Sequence, residues 1–172
     1  MGEVATRVRG MEKSSTEDSW CTPRHIVDRV RDLGEGRIAL DPCSNPNSIV
    51  GADVEWFGPP NGSDGLLLPW SKADGLIYVN PPYTEKYAWT WKCHVEHQRN
   101  IGCEIVALLP ADTDTQWFQR FAAKAQKRCF LDKRLKFHGD RNHGARFPSV
   151  VIYWGIRPHK FIAAFEGAGW IV

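Results

Sequence analysis

The apolar residues of this chain fall into short blocks whose spacing alternates between helical and extended periods. The first block, TPRHIVDRVRDL at residues 22–33, predicts a helix with Thr22 as N-cap and Pro23 at the first helical position. Its apolar side chains share one helical stripe: Ile26, Val27, Val30 and Leu33.

Short apolar runs predict the strands. RIAL, GLIYV and CEIVALLP are the clearest, and the last is apolar enough for burial on both faces. SIVGADVEW predicts a second, irregular strand after RIAL. RLKF and PSVVIYW predict two later strands, joined by the loop HGDRNHGAR.

Two longer segments between these strands predict helices. EKYAWTWKCHVEHQ is expected to turn Tyr87, Ala88, Trp91 and Val95 inward. TDTQWFQRFAAKAQK has capping-box spacing between Thr113 and Gln116. A last short helix is predicted in HKFIAAFEGAG. This alternation of helix and strand predicts an open α/β sheet with helices on both faces, whose ligands bind outside the carboxyl ends of the strands.

Composition and length indicate one globular domain. Residues 1–18 are polar and aperiodic, so we expect a mobile tail, with a single domain over 19–172. No apolar run is long enough to span a membrane, and no signal peptide is evident. The five cysteines lack the spacing of a disulfide framework or a zinc site, so we expect free thiols, no metal and a cytoplasmic protein.

Charge is unevenly distributed although the net charge is only +2. Residues 124–146 hold eight Lys or Arg and two Asp or Glu, a balance of +6. The remainder holds 14 basic and 18 acidic residues, a balance of −4. Such a basic segment suits a phosphate-binding strip, and a solvated face with scattered counter-ions is the alternative.

The segment YVNPPYTEKYAW, residues 78–89, follows a predicted strand with an asparagine, two prolines and a tyrosine. Each proline removes a ladder donor and restricts the backbone, so Asn80 to Tyr83 should be stiff and extended. LDPCS also follows a strand, and 38 residues separate Asp41 from Asn80. We expect both segments to face one crevice.

The tetrapeptide Asn80-Pro81-Pro82-Tyr83 resembles the catalytic motif of amino-group DNA methyltransferases that use S-adenosylmethionine. Six segments in order, from about Ser19 to Trp154, resemble the small phage and prophage DNA N6-adenine methyltransferases of the Dam type: DSWCTP, LDPCS, SDGLLLPW, YVNPPY, ALLPADTDTQWF and RLKF. The resemblance implies a Rossmann-like class I methyltransferase sheet. The usual glycine-rich loop is absent, and only 22 residues lie between Asp41 and Asp64, so the region after the first strand should be abbreviated.

The resemblance also implies residue roles. The catalytic segment is Asn80, Pro81, Pro82 and Tyr83. The cofactor-binding positions, Asn80 among them, begin with Thr22 and Pro23 at the methionine end, continue through the first motif of Asp41, Pro42, Cys43 and Ser44, and end with Asp64 at the adenine. Taken singly, Thr22 is explained as a helix cap, Asp41 as a turn residue before Pro42, and Asp64 as part of an Asp-Gly turn. Asp53 and Glu55 both stay open as the ribose-binding carboxylate.

These residue types suit methylation of a planar amine. The resemblance implies that the Asn80 side-chain oxygen and the Pro81 carbonyl accept from the two N–H bonds of an exocyclic amine. Tyr83 can stack on a flipped base. The implied substrate is adenine in double-stranded DNA, and five basic residues are the candidate DNA contacts: Lys133, Arg134, Lys136, Arg141 and Arg146. Phe137 is expected either to wall the adenine pocket or to belong to the core.

Other functions share parts of this pattern. The same tetrapeptide serves methyltransferases of protein glutamine and of RNA guanine, and cytosine N4 is a further target class. A non-catalytic nucleic-acid-binding protein is a rival from a different class. The chain is too short for a separate target-recognition domain, so we expect sequence specificity from loops or from a second subunit, which leaves a homo-oligomer open.

Overall fold

The computed structural model describes residues 21–60, 62–100, 102–137 and 145–172. The predicted N-terminal tail and residues 138–144 of the loop HGDRNHGAR lie outside these ranges. Within them the strands are β1 Leu40–Asp41, β2 Val54–Glu55, β3 Leu76–Val79, β4 Glu104–Pro110, β5 Lys127–Leu131, β6 Ser149–Trp154 and β7 Gly169–Ile171. The helices are α1 Arg24–Leu33, α2 Lys86–Arg99, α3 Gln116–Arg120 and α4 Pro158–Phe165.

The seven strands form one mixed sheet in the order β2-β1-β3-β4-β6-β5-β7. The first four strands in this order are parallel to one another. Strand β6 runs antiparallel to both of its neighbours, β4 and β5, and β7 runs antiparallel to β5. A seven-stranded α/β sheet of this kind is compatible with a Rossmann-like methyltransferase fold.

Helices cover both faces of the sheet, as the sequence predicts. Alternate residues of each strand point to opposite faces, so β3 sends Tyr78 to one core and Ile77 to the other. Helices α1 and α4 pack on the Tyr78 side, where α1 contributes its predicted stripe. Helices α2 and α3 pack on the Ile77 side with Trp89 and Trp117. The central strands β3, β4 and β6 are therefore buried on both faces.

The connections around β2 contain no helix within the described residues. Residues 42–53 join β1 to β2, and the described residues between β2 and β3 form turns and extended chain. Because β1, β2 and β3 are parallel, their carboxyl ends lie at the same edge of the sheet. The irregular connections therefore gather directly above that edge.

The predicted inward face of α2 is wrong. Tyr87 and Trp91 are 44% and 46% exposed, whereas Lys92, Cys93 and Glu96 are buried. Lys92 Nζ lies 2.8 Å from Glu96 Oε1, and Glu96 Oε2 accepts from the backbone N–H of Trp70, in the loop before β3, at 3.1 Å. The buried face of α2 therefore includes an ion pair of charged residues. Because that face is not apolar, the spacing of apolar residues does not identify it.

The long helix predicted over 113–127 is also wrong. Helix α3 covers only Gln116–Arg120, its N-cap is Thr115, and no side-chain cap bond forms there within the described residues. A 3₁₀ turn follows, and the chain then enters β5, which was not predicted. The Arg128 guanidinium donates to the carbonyls of Ala122, Ala123 and Ala125, which closes the turn.

The remaining strand predictions have mixed outcomes. The predicted strand RIAL is displaced toward its end, because β1 covers only Leu40–Asp41. RLKF at 134–137 is not a strand, and β7 at the edge of the sheet was not predicted. The strands in GLIYV, CEIVALLP and PSVVIYW are confirmed. In the described part of the chain, no helix combines the length and the apolar character needed to cross a membrane.

Candidate active site

A pocket of about 470 Å³ lies above the carboxyl ends of β1 and β3. One side is formed by Asn80 to Tyr83, and another by the segment after Asp41. The predicted single crevice is therefore confirmed. Its predicted site residues are Pro42, Cys43, Ser44, Asp64, Asn80, Pro81, Pro82 and Tyr83, and its further lining residues include Phe57, Leu66 and Trp89.

Asp41 lies just behind this lining at the end of β1. It is 3% exposed, and its Oδ1 accepts from the Cys43 backbone N–H at 3.1 Å, so it makes the turn contact expected of it. Burial raises the pKa of Asp41 to about 7, the Cys43 amide opposes this shift, and the nearby Glu55 carboxylate adds to it. The site therefore holds a buried carboxylate that changes charge near neutral pH.

Thr22 is not the cap of α1, which corrects the prediction. The N-cap is Pro23, and within the described residues no side chain caps this helix. The Thr22 hydroxyl lies 2.8 Å from the Tyr78 hydroxyl and accepts from Asn80 Nδ2 at 3.1 Å. Thr22 and Pro23 are both buried and, like Asp41, stand outside the described lining of the pocket.

Tyr83 is held on several sides. Its hydroxyl donates to Asn80 Oδ1 at 3.2 Å, and two phenylalanine rings meet it edge to face. The ring centroid of Phe137 is 6.3 Å away and that of Phe147 is 5.4 Å away. Phe137 belongs to the core on the α1 face, which is one of its two expected roles, and it is not among the described lining residues of the pocket. Sequence reasoning missed Phe147, for which the chain carried no separate motif.

Asp64 lines the pocket and also makes a turn. Its Oδ1 accepts from the Leu66 backbone N–H at 2.8 Å, and its other oxygen is not used in that bond. The next residue, Gly65, passes so close to β1 that a Cβ atom there would collide with the Pro42 carbonyl oxygen. Close packing therefore requires glycine at position 65, and Asp64 makes the turn contact.

The two ribose candidates occupy different surroundings. Asp53 precedes β2, is about half exposed and forms an ion pair with Arg37. Glu55 ends β2, next to β1, and its Oε1 is buried without a hydrogen-bond partner among the described residues. Of the two candidates, it is Glu55 whose charge contributes to the raised pKa of Asp41, after the larger effect of burial.

The basic segment reaches the site through its buried residues. Leu135 and Phe137 are both 3% exposed, and Phe137 contacts Tyr83. The Ala145 N–H donates to the Leu135 carbonyl at 2.7 Å, which brings the two described ends of the loop together. The predicted DNA contacts that are described are all exposed: Lys133, Arg134, Lys136 and Arg146. Arg141 lies outside the described residues.

The cysteines are all unbridged. Four are buried, and the fifth, Cys43, lines the pocket with part of its surface exposed. Desolvation of the Cys43 thiol by the surrounding protein raises its pKa. Cys93 and Cys103 are small buried side chains, as expected. Over the described ranges, no group of three or more His, Cys, Asp or Glu side chains is arranged to hold a metal ion.

Comparisons with known proteins identify the class to which this fold and site correspond. The model of the Dam family, described as DNA N-6-adenine-methyltransferase, matches residues 10–154. The chain therefore belongs to the Dam family of DNA N-6-adenine-methyltransferases, which confirms the resemblance. A DNA N-6-adenine-methyltransferase of Escherichia phage T1 is 26% identical over 132 residues, which cover 77% of this chain and 52% of that relative. The chain thus spans about half the length of the curated relative it matches.

Proposed function

We propose that this protein transfers a methyl group from S-adenosylmethionine to the exocyclic N6 amine of an adenine flipped out of double-stranded DNA. The observation that carries this proposal is the pocket, in which the Asn80–Tyr83 segment opposes the turn after Asp41. Membership of the Dam family supports adenine as the base.

The pocket fits the cofactor in size and in chemistry. Its volume of about 470 Å³ lies within the range of sites for small organic ligands. A buried carboxylate at Asp41 suits the cationic methionine amine, and Asp64 offers an oxygen for the adenine amine. These are the roles that the family resemblance implies for both residues.

Glu55 is our choice for the ribose. A buried carboxylate oxygen without a partner among the described residues is costly unless a ligand supplies a donor. The two ribose hydroxyls are such donors. Asp53 is a poorer choice because it already pairs with Arg37 at the surface. Glu55→Gln should weaken cofactor binding about 10-fold or more, whereas Asp53→Asn should leave it within about 2-fold.

The protein's share of the chemistry is positioning. When bound, the cofactor would supply a methyl carbon activated by a positively charged sulfur, and transfer to the amine nitrogen would exchange the carbon–sulfur bond for a carbon–nitrogen bond. Asn80 Oδ1 and the Pro81 carbonyl would accept from the amine's two N–H bonds and turn its lone pair toward that carbon. Orientation of this kind supplies much of a rate gain. The amine releases one proton to solvent after transfer.

Tyr83 and its neighbours would hold the base. Stacking on an aromatic ring is worth about 1–3 kcal/mol per base, which offsets part of the cost of flipping. Phe137 and Phe147 restrict the Tyr83 ring by edge contacts. The exposed residues Lys133, Arg134, Lys136 and Arg146, with Arg141, would bind phosphates around the flipped nucleotide.

The test is radiolabelled methyl transfer to unmethylated DNA, RNA and protein, followed by mass spectrometry of the modified nucleosides. We expect N6-methyladenine in DNA from the parental protein. Asn80→Ala should abolish transfer while cofactor binding is largely retained, and Asn100→Ala, an exposed amide at the end of α2, is the matched control. Transfer by Asn80→Ala at the parental rate would overturn the role of Asn80.

The same assay separates the rival functions. Label in RNA, in cytosine or in a protein glutamine, with none in adenine of DNA, would replace the proposed substrate. DNA binding without transfer to any of these substrates would favour a non-catalytic nucleic-acid-binding protein.

A further inference from the structure

Behind Asn80 lies a short chain of hydrogen bonds that the catalytic motif alone does not include. Asn80 Nδ2 donates to Thr22 Oγ1 at 3.1 Å, and Thr22 Oγ1 lies 2.8 Å from the Tyr78 hydroxyl. Thr22 is 3% exposed and Tyr78 is 1% exposed, so both hydroxyls are shielded from solvent. We propose that Thr22 and Tyr78 are positioning residues that set the orientation of the Asn80 carboxamide.

An asparagine side chain has a donor end and an acceptor end of nearly equal size. The proposed function, on which this inference rests, needs the acceptor end to face the target amine. A hydrogen-bond acceptor fixed behind the nitrogen stabilises that orientation by accepting from the amide N–H. Thr22 Oγ1 occupies this position in the structure.

The Tyr78 hydroxyl supports the acceptor role of Thr22. Burial raises the pKa of Tyr78 above its usual range, so the phenol stays protonated and keeps its donor. Its hydroxyl bond is to Thr22. When Tyr78 donates this bond, Thr22 Oγ1 accepts two hydrogen bonds, one from the Tyr78 hydroxyl and one from Asn80 Nδ2.

The contact links two separate parts of the chain. Tyr78 lies in the buried strand β3, two residues before Asn80, and Thr22 lies 58 residues from Asn80, two residues before α1. Packing of α1 on the sheet therefore fixes the Thr22 hydroxyl relative to the catalytic segment. Under this inference Thr22 acts through Asn80, and its effect should appear in turnover more than in cofactor affinity.

The experiment compares variants of the whole chain in steady-state methyl transfer and in cofactor binding by calorimetry. Thr22→Val keeps the shape but removes the acceptor, so kcat should fall about 10- to 100-fold while the cofactor dissociation constant changes less than about 3-fold. Thr22→Ser retains the oxygen and should recover most of kcat. Tyr78→Phe should lower kcat about 3- to 10-fold.

Matched controls separate this effect from loss of a buried hydroxyl. Tyr153 is likewise a buried strand tyrosine in the same core, but its hydroxyl bonds to Glu104, away from the pocket. Thr90 is buried in α2, and its hydroxyl bonds to the Lys86 carbonyl. Tyr153→Phe and Thr90→Val should leave kcat within about 2-fold. Thermal unfolding of each variant verifies that it folds.

A second readout is independent of activity. The side-chain N–H₂ pair of Asn80, assigned by its loss in Asn80→Asp, should show slowed hydrogen exchange that Thr22→Val abolishes and Thr22→Ser preserves. If Thr22→Val leaves this pair and kcat unchanged, or if it weakens cofactor binding in proportion to kcat, the inference is wrong. A parental protein that methylates no DNA would refute the proposed function, and the exchange measurement would still decide whether Thr22 holds Asn80.

Discussion

The strongest prediction about stability concerns the buried carboxyl group of Asp41. Its pKa rises from 3.8 to about 7, mainly because burial disfavours the charged form. The difference corresponds to about 4 kcal/mol between the two protonation states. A carboxyl with a raised folded-state pKa binds its proton more tightly in the folded protein than in the unfolded chain. Its contribution to stability is therefore lost as pH rises from about 4 to about 7.

Asp41→Asn removes this titration but keeps an oxygen for the Cys43 N–H. The free energy of unfolding of the variant, minus that of the parental protein, should grow by up to about 4 kcal/mol between pH 4 and pH 8. For a domain of this size the difference in Tm should grow by about 8–16 °C over the same range. Urea unfolding of both proteins at a series of pH values gives the measurement.

The control is Asp53→Asn, which removes an exposed carboxylate paired with Arg37. It measures the effect of losing a carboxylate that is not buried. An Asp41→Asn difference that is the same at pH 4 and pH 8 would refute the reasoning about burial. The same variant should bind the cofactor about 10- to 100-fold more weakly, since the charge-assisted contact that we propose for Asp41 would be lost. Stability and binding should thus change in opposite directions.

Three further predictions follow from packing and charge. Gly65→Ala should lower both stability, measured by unfolding, and cofactor affinity, measured by calorimetry, because the new Cβ collides with the Pro42 carbonyl. The control is Gly36→Ala, which has a positive φ but open space around it, so it shows the effect of backbone strain without a collision. Glu96→Gln should lower the free energy of unfolding in urea by about 3–5 kcal/mol, since Lys92 stays buried without its charged partner. An equal effect of Glu166→Gln, at an exposed position, would contradict this reasoning. Arg134→Ala should weaken DNA binding and should reduce, by about 1, the steepness with which the logarithm of the binding constant falls with the logarithm of salt concentration. An unchanged slope would show that Arg134 does not contact a phosphate.

The central strands and the Asn80–Tyr83 segment were predictable from local sequence. CEIVALLP is apolar except for Glu104, so a strand buried on both faces was the physical solution, and β4 has that environment. The prolines of the Asn80–Tyr83 segment end β3 by removing donors, which sets where the strand stops and the pocket begins. Local chemistry of this kind does not depend on distant residues.

The errors arise where distant residues intervene. The buried face of α2 carries Lys92 and Glu96, whose pairing inside the interface depends on the Trp70 loop. Helix α3 ends at Arg120, and Arg128 of the following strand donates to carbonyls of the 3₁₀ turn that comes after it, at Ala122 and Ala123. Neither contact is visible in the periodicity of the segment that it alters.

The site divides in the same way. Sequence alone determined the residue types and their order, because an amide, two prolines and an aromatic ring at a strand end form a local unit. Only the tertiary structure decided that Thr22 faces Asn80 instead of capping α1, and that Glu55 keeps a buried oxygen where Asp53 meets solvent. The physical reason is that burial and hydrogen-bond partners are properties of elements packed together, which the order of residues along one element does not contain.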